Sequence, residues 1–368
     1  MTSKDNTRTP FRFSPEEFAG AIGDFGTIIP LVLGVVLVSD LHPGHVLLFV
    51  ALAYIITGVY YRLPVPVEPM KAIGAIVIAG ELTHGEIVAS GLIVGVLFLM
   101  LGFFRSMKTF QRLIPKSVIH GIQLGLALIL LRTSYDFITL DPGPAMVGVL
   151  VVVVFLLMKR FLRVPDVAAL VLIVMGVVWG LVARGGAPPP DLIPMPKLII
   201  PSLSEWMSGF WELAVPQAPL TLTNAILATS LLFHDMMGKD VQPDRLAKST
   251  GVMNIISVPL GGFPMCHGAG GLAAQYRFGA RTGGSNIISG LILLPVAVWF
   301  SGSDHVALIS YGIFGAMLLF VAIELGKYAF RTQSVIVTVS MAAMAFFAGF
   351  AVAFVVGMGL HWGMRRIG

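Results

Sequence analysis

The sequence has a single cysteine and few charged residues. Cys266 is the only cysteine among 368 residues, so no internal disulfide can form, and the histidines show no spacing typical of a metal site. Charged residues make up 12% of the chain, and the net charge of +5 reflects loop placement rather than a nucleic-acid surface. No nucleophile–base pair or phosphate loop indicates an enzyme. We therefore expect no cofactor, no metal, no nucleic-acid partner and no catalytic residue.

Hydrophobic residues, by contrast, fill the sequence. They account for 56% of the chain, and the mean hydropathy is +0.89. Backbone groups cannot stay unpaired in lipid, so apolar runs that cross about 30 Å of hydrocarbon must be helices. The sequence predicts an all-α polytopic membrane protein with fourteen spans, near 20–39, 45–61, 64–81, 87–104, 117–131, 143–158, 165–183, 216–233, 246–260, 263–280, 285–300, 305–324, 334–346 and 348–361. The last two are short enough to form one long helix instead.

Loop charges predict the orientation. The N-terminal segment is polar through Pro15 and shows no cleavable signal pattern, so we expect the first span to be retained. Lysine and arginine collect in alternate loops, whereas the intervening loops keep only Arg132, Arg184 and Lys197. Because basic loops mark the cytoplasmic side, both termini are predicted to be cytoplasmic, in the cytoplasmic (inner) membrane. The one basic residue inside a predicted span is Lys71.

The two halves of the chain form an internal repeat. A Pro-Met pair occurs in the third span of each half, 49 positions after Gly20 in the first half and 48 after Pro216 in the second. Because each half has an odd number of spans, seven, the second repeat would be inverted in the membrane relative to the first. The predicted segments are a cytoplasmic N-terminal segment 1–19, a first transmembrane repeat 20–183, a Pro-rich external linker with an interfacial helix 184–215, a second repeat 216–362 and a cytoplasmic tail 363–368.

The third and tenth spans should be broken. Three prolines between positions 64 and 69 cannot all lie in a helix, so residues 64–68 should be extended and a helix should begin near Pro69. The second copy should begin its helix after Pro264. Paired breaks of this kind mark the substrate site in inverted-repeat transporters. We therefore place the candidate site between these two helix starts.

A helix N-terminus offers free N–H donors and about half a positive charge, so two facing ends would receive an anion. Lys71 would add a full charge, and His267 could donate a hydrogen bond or titrate. Thr223 and Asn224 in the eighth span and Asp24 in the first could reach the same place, although such residues also join helices to each other. The candidate substrate-binding residues are Met70, Lys71, Ala72, His267, Gly268, Ala269, Thr223, Asn224 and Asp24.

Four motifs resemble those of the molybdate-transporter family related to the sulfate permeases. They are FPMCHGAGGLAAQYRFGARTG at 263–283, PVEPMKAI at 66–73, GDFGT at 23–27 and PLTLTN at 219–224. The resemblance implies a seven-plus-seven inverted repeat divided into core and gate domains, with spans 1–4 and 8–11 in the core. It also implies secondary active transport of a tetrahedral oxyanion, molybdate or sulfate, by alternating access.

Glu68 departs from this family pattern, which typically carries glutamine at that position. The carboxylate could cap the helix and pair with Lys71, or it could titrate and couple anion movement to protons as a symporter. A third alternative changes the cargo, which gives a proton-coupled nucleobase or carboxylate carrier of the same fold. A passive channel is the remaining non-enzymatic class. The sequence leaves open whether the protein forms a homodimer.

Overall fold

The computed structural model describes residues 10–80, 82–162, 167–189, 191–329 and 332–367. The first half contains α1 (Pro15–Ile22), α2 (Phe25–Val38), α3 (Pro43–Tyr61), β1 (Glu68–Pro69), α4 (Lys71–Ala79), α5 (His84–Phe103), α6 (Met107–Leu113), α7 (Lys116–Leu140), α8 (Pro142–Leu162) and α9 (Ala168–Arg184). The second half contains α10 (Leu203–Ser208), α11 (Val215–Leu220), α12 (Ala228–Met237), α13 (Pro243–Ser257), β2 (Met265–Cys266), α14 (Ala269–Phe278), α15 (Gly283–Trp299), α16 (Ser303–Val306), α17 (Tyr311–Ala329), α18 (Val335–Ala348) and α19 (Phe350–Ile367).

Each predicted span overlaps a helix, and the chain is mostly helical. Among the described residues, four helical stretches are long and apolar enough to cross a membrane, namely Pro15–Val38, Pro43–Tyr61, His84–Phe103 and Lys116–Leu140. A fifth is added if α14 and α15, which meet at 100°, count as one broken span. The division into seven plus seven spans stays a prediction. Lys4, Arg8, Arg163 and Arg331, which contribute to the predicted orientation, lie outside the described residues.

The last two predicted spans are separate helices. Gly349 lies between α18 and α19 with a positive φ of 85°, a conformation that favours glycine. The two helices also contact each other. The alternative of one long terminal helix is therefore wrong, because one helix ends at Ala348 and the next begins at Phe350.

Helices of the first half pack against helices of the second. The pairs α3 with α15, α5 with α13 and α7 with α17 form the main contacts. Small residues bring α3 and α15 close, since a Cβ added to Gly58 would lie 2.7 Å from the Gly283 carbonyl oxygen. Close backbone approach through glycine is typical of helix pairs in membranes, where packing rather than the hydrophobic effect holds helices together.

The two predicted breaks are present. Residues 64–67 lie outside any helix, as the proline spacing predicts, and α4 begins at Lys71. In the second half, α14 begins at Ala269, five positions after Pro264, because Met265 and Cys266 first form strand β2. Both helices are short and begin after an extended segment.

The second half opens with a long helical stretch interrupted by π-helical turns. A capping box between Ser202 and Glu205 starts α10, and π-helical turns at Gly209–Ala214 and Thr221–Leu227 flank α11. Pro216 and Pro219 lie in α11 and have no N–H to donate, which breaks the regular hydrogen-bond ladder there. The predicted linker 184–215 thus ends within this helical stretch. Its external location stays a prediction.

Candidate functional site

A two-stranded ribbon joins the broken segments of the two halves. Strands β1 and β2 pair antiparallel, with Glu68 opposite Cys266. The Met70 N–H donates to the Pro264 carbonyl oxygen at 2.8 Å. Helices α4 and α14 therefore start from the same small ribbon, which brings the two predicted helix starts together.

Asn254 on α13 fixes the second strand. Its Oδ1 accepts a hydrogen bond from the Met265 N–H at 2.7 Å, and its Nδ2 donates to the Met265 carbonyl oxygen at 2.7 Å. Nδ2 also donates to the Thr250 carbonyl oxygen at 2.7 Å, and the side chain is fully buried. The Asn254 amide thus makes the two backbone hydrogen bonds to Met265 that a neighbouring strand could make.

Lys71, the first residue of α4, pairs with Glu68. Its Nζ lies 3.3 Å from both carboxylate oxygens. The Glu68 side chain is 1% exposed, whereas the Lys71 side chain is 31% exposed and so reaches accessible space. A charge in a membrane needs a partner, and each residue supplies one for the other. The pairing considered for Glu68 from the sequence is thus present.

Asp24 adds a second carboxyl group to this place. It precedes the first residue of α2, is fully buried, and accepts a hydrogen bond from the Tyr54 hydroxyl at 2.8 Å. Its other oxygen, Oδ1, has no hydrogen-bond partner among the described residues. We call Asp24, Glu68 and Lys71 the charged cluster.

Glycines in the first turn of α14 let the charged cluster approach its backbone. A side chain at Gly268 would overlap the Glu68 carboxylate, and one at Gly271 would overlap the Asp24 carboxylate. Only residues without a Cβ fit at these two positions. The carboxyl groups of the first half therefore lie directly against a helix start of the second half.

The first turn of α14 borders accessible space. Its N-cap residue, Gly268, has no side chain, and no other described side chain accepts a hydrogen bond from the first-turn N–H groups. Ala269 is half-buried and Gly270 is exposed. A Cβ placed on Gly270 would lie 3.6 Å from the Lys71 Nζ. An ammonium group and an uncapped helix N-terminus thus meet in accessible space, and both attract anions.

The start of α4 is closed by a side chain that the sequence did not single out. Gln217 on α11 accepts hydrogen bonds through Oε1 from the Ala72 N–H at 2.9 Å and the Ile73 N–H at 3.3 Å. Together with the bond from Met70 to Pro264, this engages two of the three donors proposed at residues 70–72. One sequence signal could have identified Gln217. It is a polar residue directly after Pro216, the position from which the spacing of the second repeat is counted.

Thr223 and Asn224 lie on the π-helical turn that contacts α14. The Thr223 hydroxyl donates to the Pro219 carbonyl oxygen at 2.8 Å and lies 3.4 Å from the Asn224 Oδ1. Thr223 is half-buried and Asn224 is exposed, so both border accessible space. Their role as ligands stays a prediction, and π-helical turns are frequent at functional sites.

His267 is held by the protein through both ring nitrogens. Nδ1 donates to the Pro66 carbonyl oxygen at 2.8 Å, and Nε2 lies 2.7 Å from the Ser249 hydroxyl. The Thr229 hydroxyl donates to the His267 carbonyl oxygen at 2.7 Å. In this arrangement the imidazole ties the two halves together and has no nitrogen free for an anion.

A cavity of about 300 Å³ lies elsewhere in the molecule and shares no residue with the charged cluster. It is lined by Arg112, Pro115, Gln333, His361, Trp362 and Arg365. The candidate site is thus a tight cluster with an accessible edge at Lys71 and Gly270. Among the described residues, no group of three or more histidine, cysteine, aspartate or glutamate side chains could hold a metal ion.

Solved structures with the same fold are membrane proteins that move anions. The transmembrane domain of a cyanobacterial bicarbonate transporter, BicA, matches with a TM-score of 0.70 at 16% identity, over 95% of this chain and 97% of that one. Murine Slc26a9, an anion transporter in the inward-facing state, matches with a TM-score of 0.71 at 13% identity, over 100% and 69%. At these identities the likeness shows the fold. Together with the apolar helices, it indicates an integral membrane protein with this fold.

Sequence comparison identifies the family. A profile described as a molybdate transporter of the MFS superfamily matches residues 16–130 and 209–325. Molybdate transporter 2 of Arabidopsis thaliana is 34% identical over 361 residues, which cover 84% of this chain and 77% of the relative. Molybdate transporter 1 of the same plant is 30% identical, over 89% and 83%. The chain belongs to the molybdate transporter family, as its motifs indicated, and so to the transporters rather than the enzymes.

Proposed function

We propose that the protein is a secondary active transporter that carries molybdate across the cytoplasmic membrane by alternating access. The family and the names of its curated relatives support the cargo. The observation that carries the proposal is the meeting of Lys71 with the uncapped start of α14, 3.6 Å from a Cβ position at Gly270. A tetrahedral oxyanion fits this chemistry because it accepts hydrogen bonds from the ammonium and from backbone N–H groups at once.

Charge balance makes Glu68 the coupling residue of this proposal. Lys71 pairs with Glu68 in the structure, so an incoming dianion competes with that carboxylate for the same ammonium. Two like unit charges about 4 Å apart repel by about 4 kcal/mol at an effective dielectric constant of about 20. Protonation of Glu68 removes that repulsion and frees Lys71 for the anion. One proton would therefore enter with the oxyanion, which is symport.

The moving part would be the core domain formed by spans 1–4 and 8–11, with the remaining spans as the gate. The ribbon of β1 and β2 supports this division, because it joins the third and tenth spans through hydrogen bonds. Both termini would face the cytoplasm, as the loop charges predict. A homodimer stays open in this scheme.

Uptake of molybdate by proteoliposomes tests the proposal. Purified protein should take up labelled molybdate in a saturable manner, and unlabelled tungstate and sulfate should compete according to their fit. Competition by uracil or a dicarboxylate without competition by unlabelled molybdate would instead identify the nucleobase or carboxylate carrier. Ion currents in planar bilayers without saturable exchange would identify a channel. Absence of molybdate binding and uptake in folded protein would overturn the proposal.

A further inference from the structure

The two helix starts at the candidate site are not equivalent, although the repeat predicts that they are. At α4, the N–H groups of Ala72 and Ile73 both donate to Gln217 Oε1, at 2.9 and 3.3 Å. At α14, the N-cap residue is Gly268, which has no side chain, and among the described residues no side chain accepts a hydrogen bond from the first-turn N–H groups. One dipole end is therefore closed by the protein, and the other is open beside Lys71.

We propose that Gln217 is a positioning residue that closes the start of α4 and so assigns the oxyanion to the first turn of α14 and Lys71. The inference rests on the proposed function, because it specifies which part of that site holds the anion. Closing one helix start also makes the site asymmetric, whereas the repeat alone would give two equivalent helix starts. The anion would bind off the repeat's symmetry axis, on the side of the second half.

The orientation of the Gln217 amide is fixed at both ends. Its Nε2 donates to the Thr221 hydroxyl oxygen at 2.8 Å, and the side chain is 2% exposed. The acceptors and donors around it decide which amide atom is which, since backbone N–H groups require an oxygen opposite them. The amide thus spans from the π-helical turn of the second half to the first turn of α4. Its carbonyl oxygen occupies the place that an oxyanion oxygen would take.

The lack of charge on Gln217 is the second part of the inference. An amide oxygen accepts the two N–H groups without adding negative charge beside Asp24 and Glu68. A carboxylate at the same position would satisfy the same donors, and the helix dipole would favour it. It would also add a negative charge at the site and repel the oxyanion. Glutamine therefore closes α4 while leaving Lys71 able to attract an anion.

Molybdate binding by purified variants tests the inference. Gln217→Glu keeps the cap and adds charge, so we expect the Kd to rise by about tenfold at neutral pH and to recover as the pH falls. Gln217→Met removes the acceptor at similar size and opens the two donors, so we expect the Kd to fall by about threefold. The matched controls are Gln123→Glu and Gln123→Met, at a buried glutamine that is bonded to His120 on α7. They should leave the Kd of the folded protein unchanged.

Hydrogen exchange separates this inference from the proposed function. Peptides containing residues 72 and 73 should exchange faster in Gln217→Met than in the parent protein, whatever the cargo is. If the parent protein binds no molybdate, the proposed function fails, and this measurement still decides whether Gln217 closes α4. Unchanged exchange, or unchanged Kd in folded Gln217 variants when the parent protein binds molybdate, would overturn the assignment.

Discussion

Glu68 and Lys71 form an ion pair at the start of α4, with Nζ 3.3 Å from both carboxylate oxygens. The carboxylate is buried, and the ammonium reaches accessible space. The pair therefore exposes its cation while its negative charge stays buried.

Replacement of Lys71 should abolish most transport. Lys71→Gln removes the one cation of the charged cluster, so we expect molybdate uptake to fall by about tenfold or more, which corresponds to a loss of at least about 1.4 kcal/mol. Lys197→Gln, at an exposed position in the linker, is the matched control and should retain parent uptake. Equal uptake by the two variants would show that Lys71 does not contact the anion.

Replacement of Glu68 should remove the pH dependence of uptake. In the parent protein we expect uptake to rise as the pH falls, because the protonated carboxyl no longer competes with the dianion for Lys71. Glu68→Gln keeps the size of the side chain without an ionisable carboxyl group, so its uptake should depend less on pH than that of the parent protein. Initial rates in proteoliposomes at a series of pH values measure the effect. A parent-like pH profile in Glu68→Gln would refute proton coupling through this residue.

A methyl group at Gly268 should block the site. The added Cβ would overlap the carboxylate of Glu68, a buried side chain. We expect Gly268→Ala to lower molybdate uptake by about tenfold or more while the protein still inserts and purifies as a folded species. Gly143→Ala is the control, since a Cβ there meets nothing within 4 Å. Parent-like uptake by Gly268→Ala would place the substrate elsewhere.

Loss of the Asn254 side chain should destabilise the ribbon. Asn254→Ala leaves the Met265 N–H and carbonyl oxygen without their buried partners, which costs about 1–3 kcal/mol for each unsatisfied group. Thermal unfolding in detergent should show a clear fall in Tm. Asn224→Ala, at an exposed amide with one long contact, should change Tm little. Similar Tm values for the two variants would contradict the role of Asn254 in holding β2.

The cap of α10 should be sensitive to acid. Hydrogen bonds from the Ser202 backbone, the Ser202 hydroxyl and the Thr83 hydroxyl lower the pKa of Glu205 below its usual value. A lowered carboxyl pKa means that the stabilisation is present above the unfolded value of about 4.3 and is lost as the pH falls through the folded value. The protection of backbone amides at 202–208 against hydrogen exchange, corrected for the intrinsic rate at each pH, should therefore fall below about pH 4. Glu205→Gln should weaken that dependence, and an unaltered dependence would assign it to another group.

Helix positions followed from the sequence because they depend on local properties. Long apolar runs set α3, α5 and α7, and the prolines at 64 and 66 excluded helix before Lys71. The candidate residues around Lys71 could also be predicted from the sequence, since a cation within an apolar span is unusual. The family motifs pointed to the same positions.

The capping of the α4 start by Gln217 could not be predicted in this way. Gln217 is separated by 145 positions from Ala72, so its bond depends on how the halves pack and on where the prolines of α11 interrupt the helix. Likewise, the start of α14 at Ala269 depends on pairing between β1 and β2, which no local pattern near Pro264 reveals. The two ring contacts of His267 arise from the same packing between distant segments.

The ribbon of β1 and β2 has a mechanical consequence. It has two residues in each strand, yet it links the two halves of the chain beside the charged cluster, and Asn254 attaches α13 to it through hydrogen bonds. In the proposed transport cycle, the hydrogen bonds of this ribbon would keep the starts of α4 and α14 together. The anion would then keep the same contacts on both sides of the membrane.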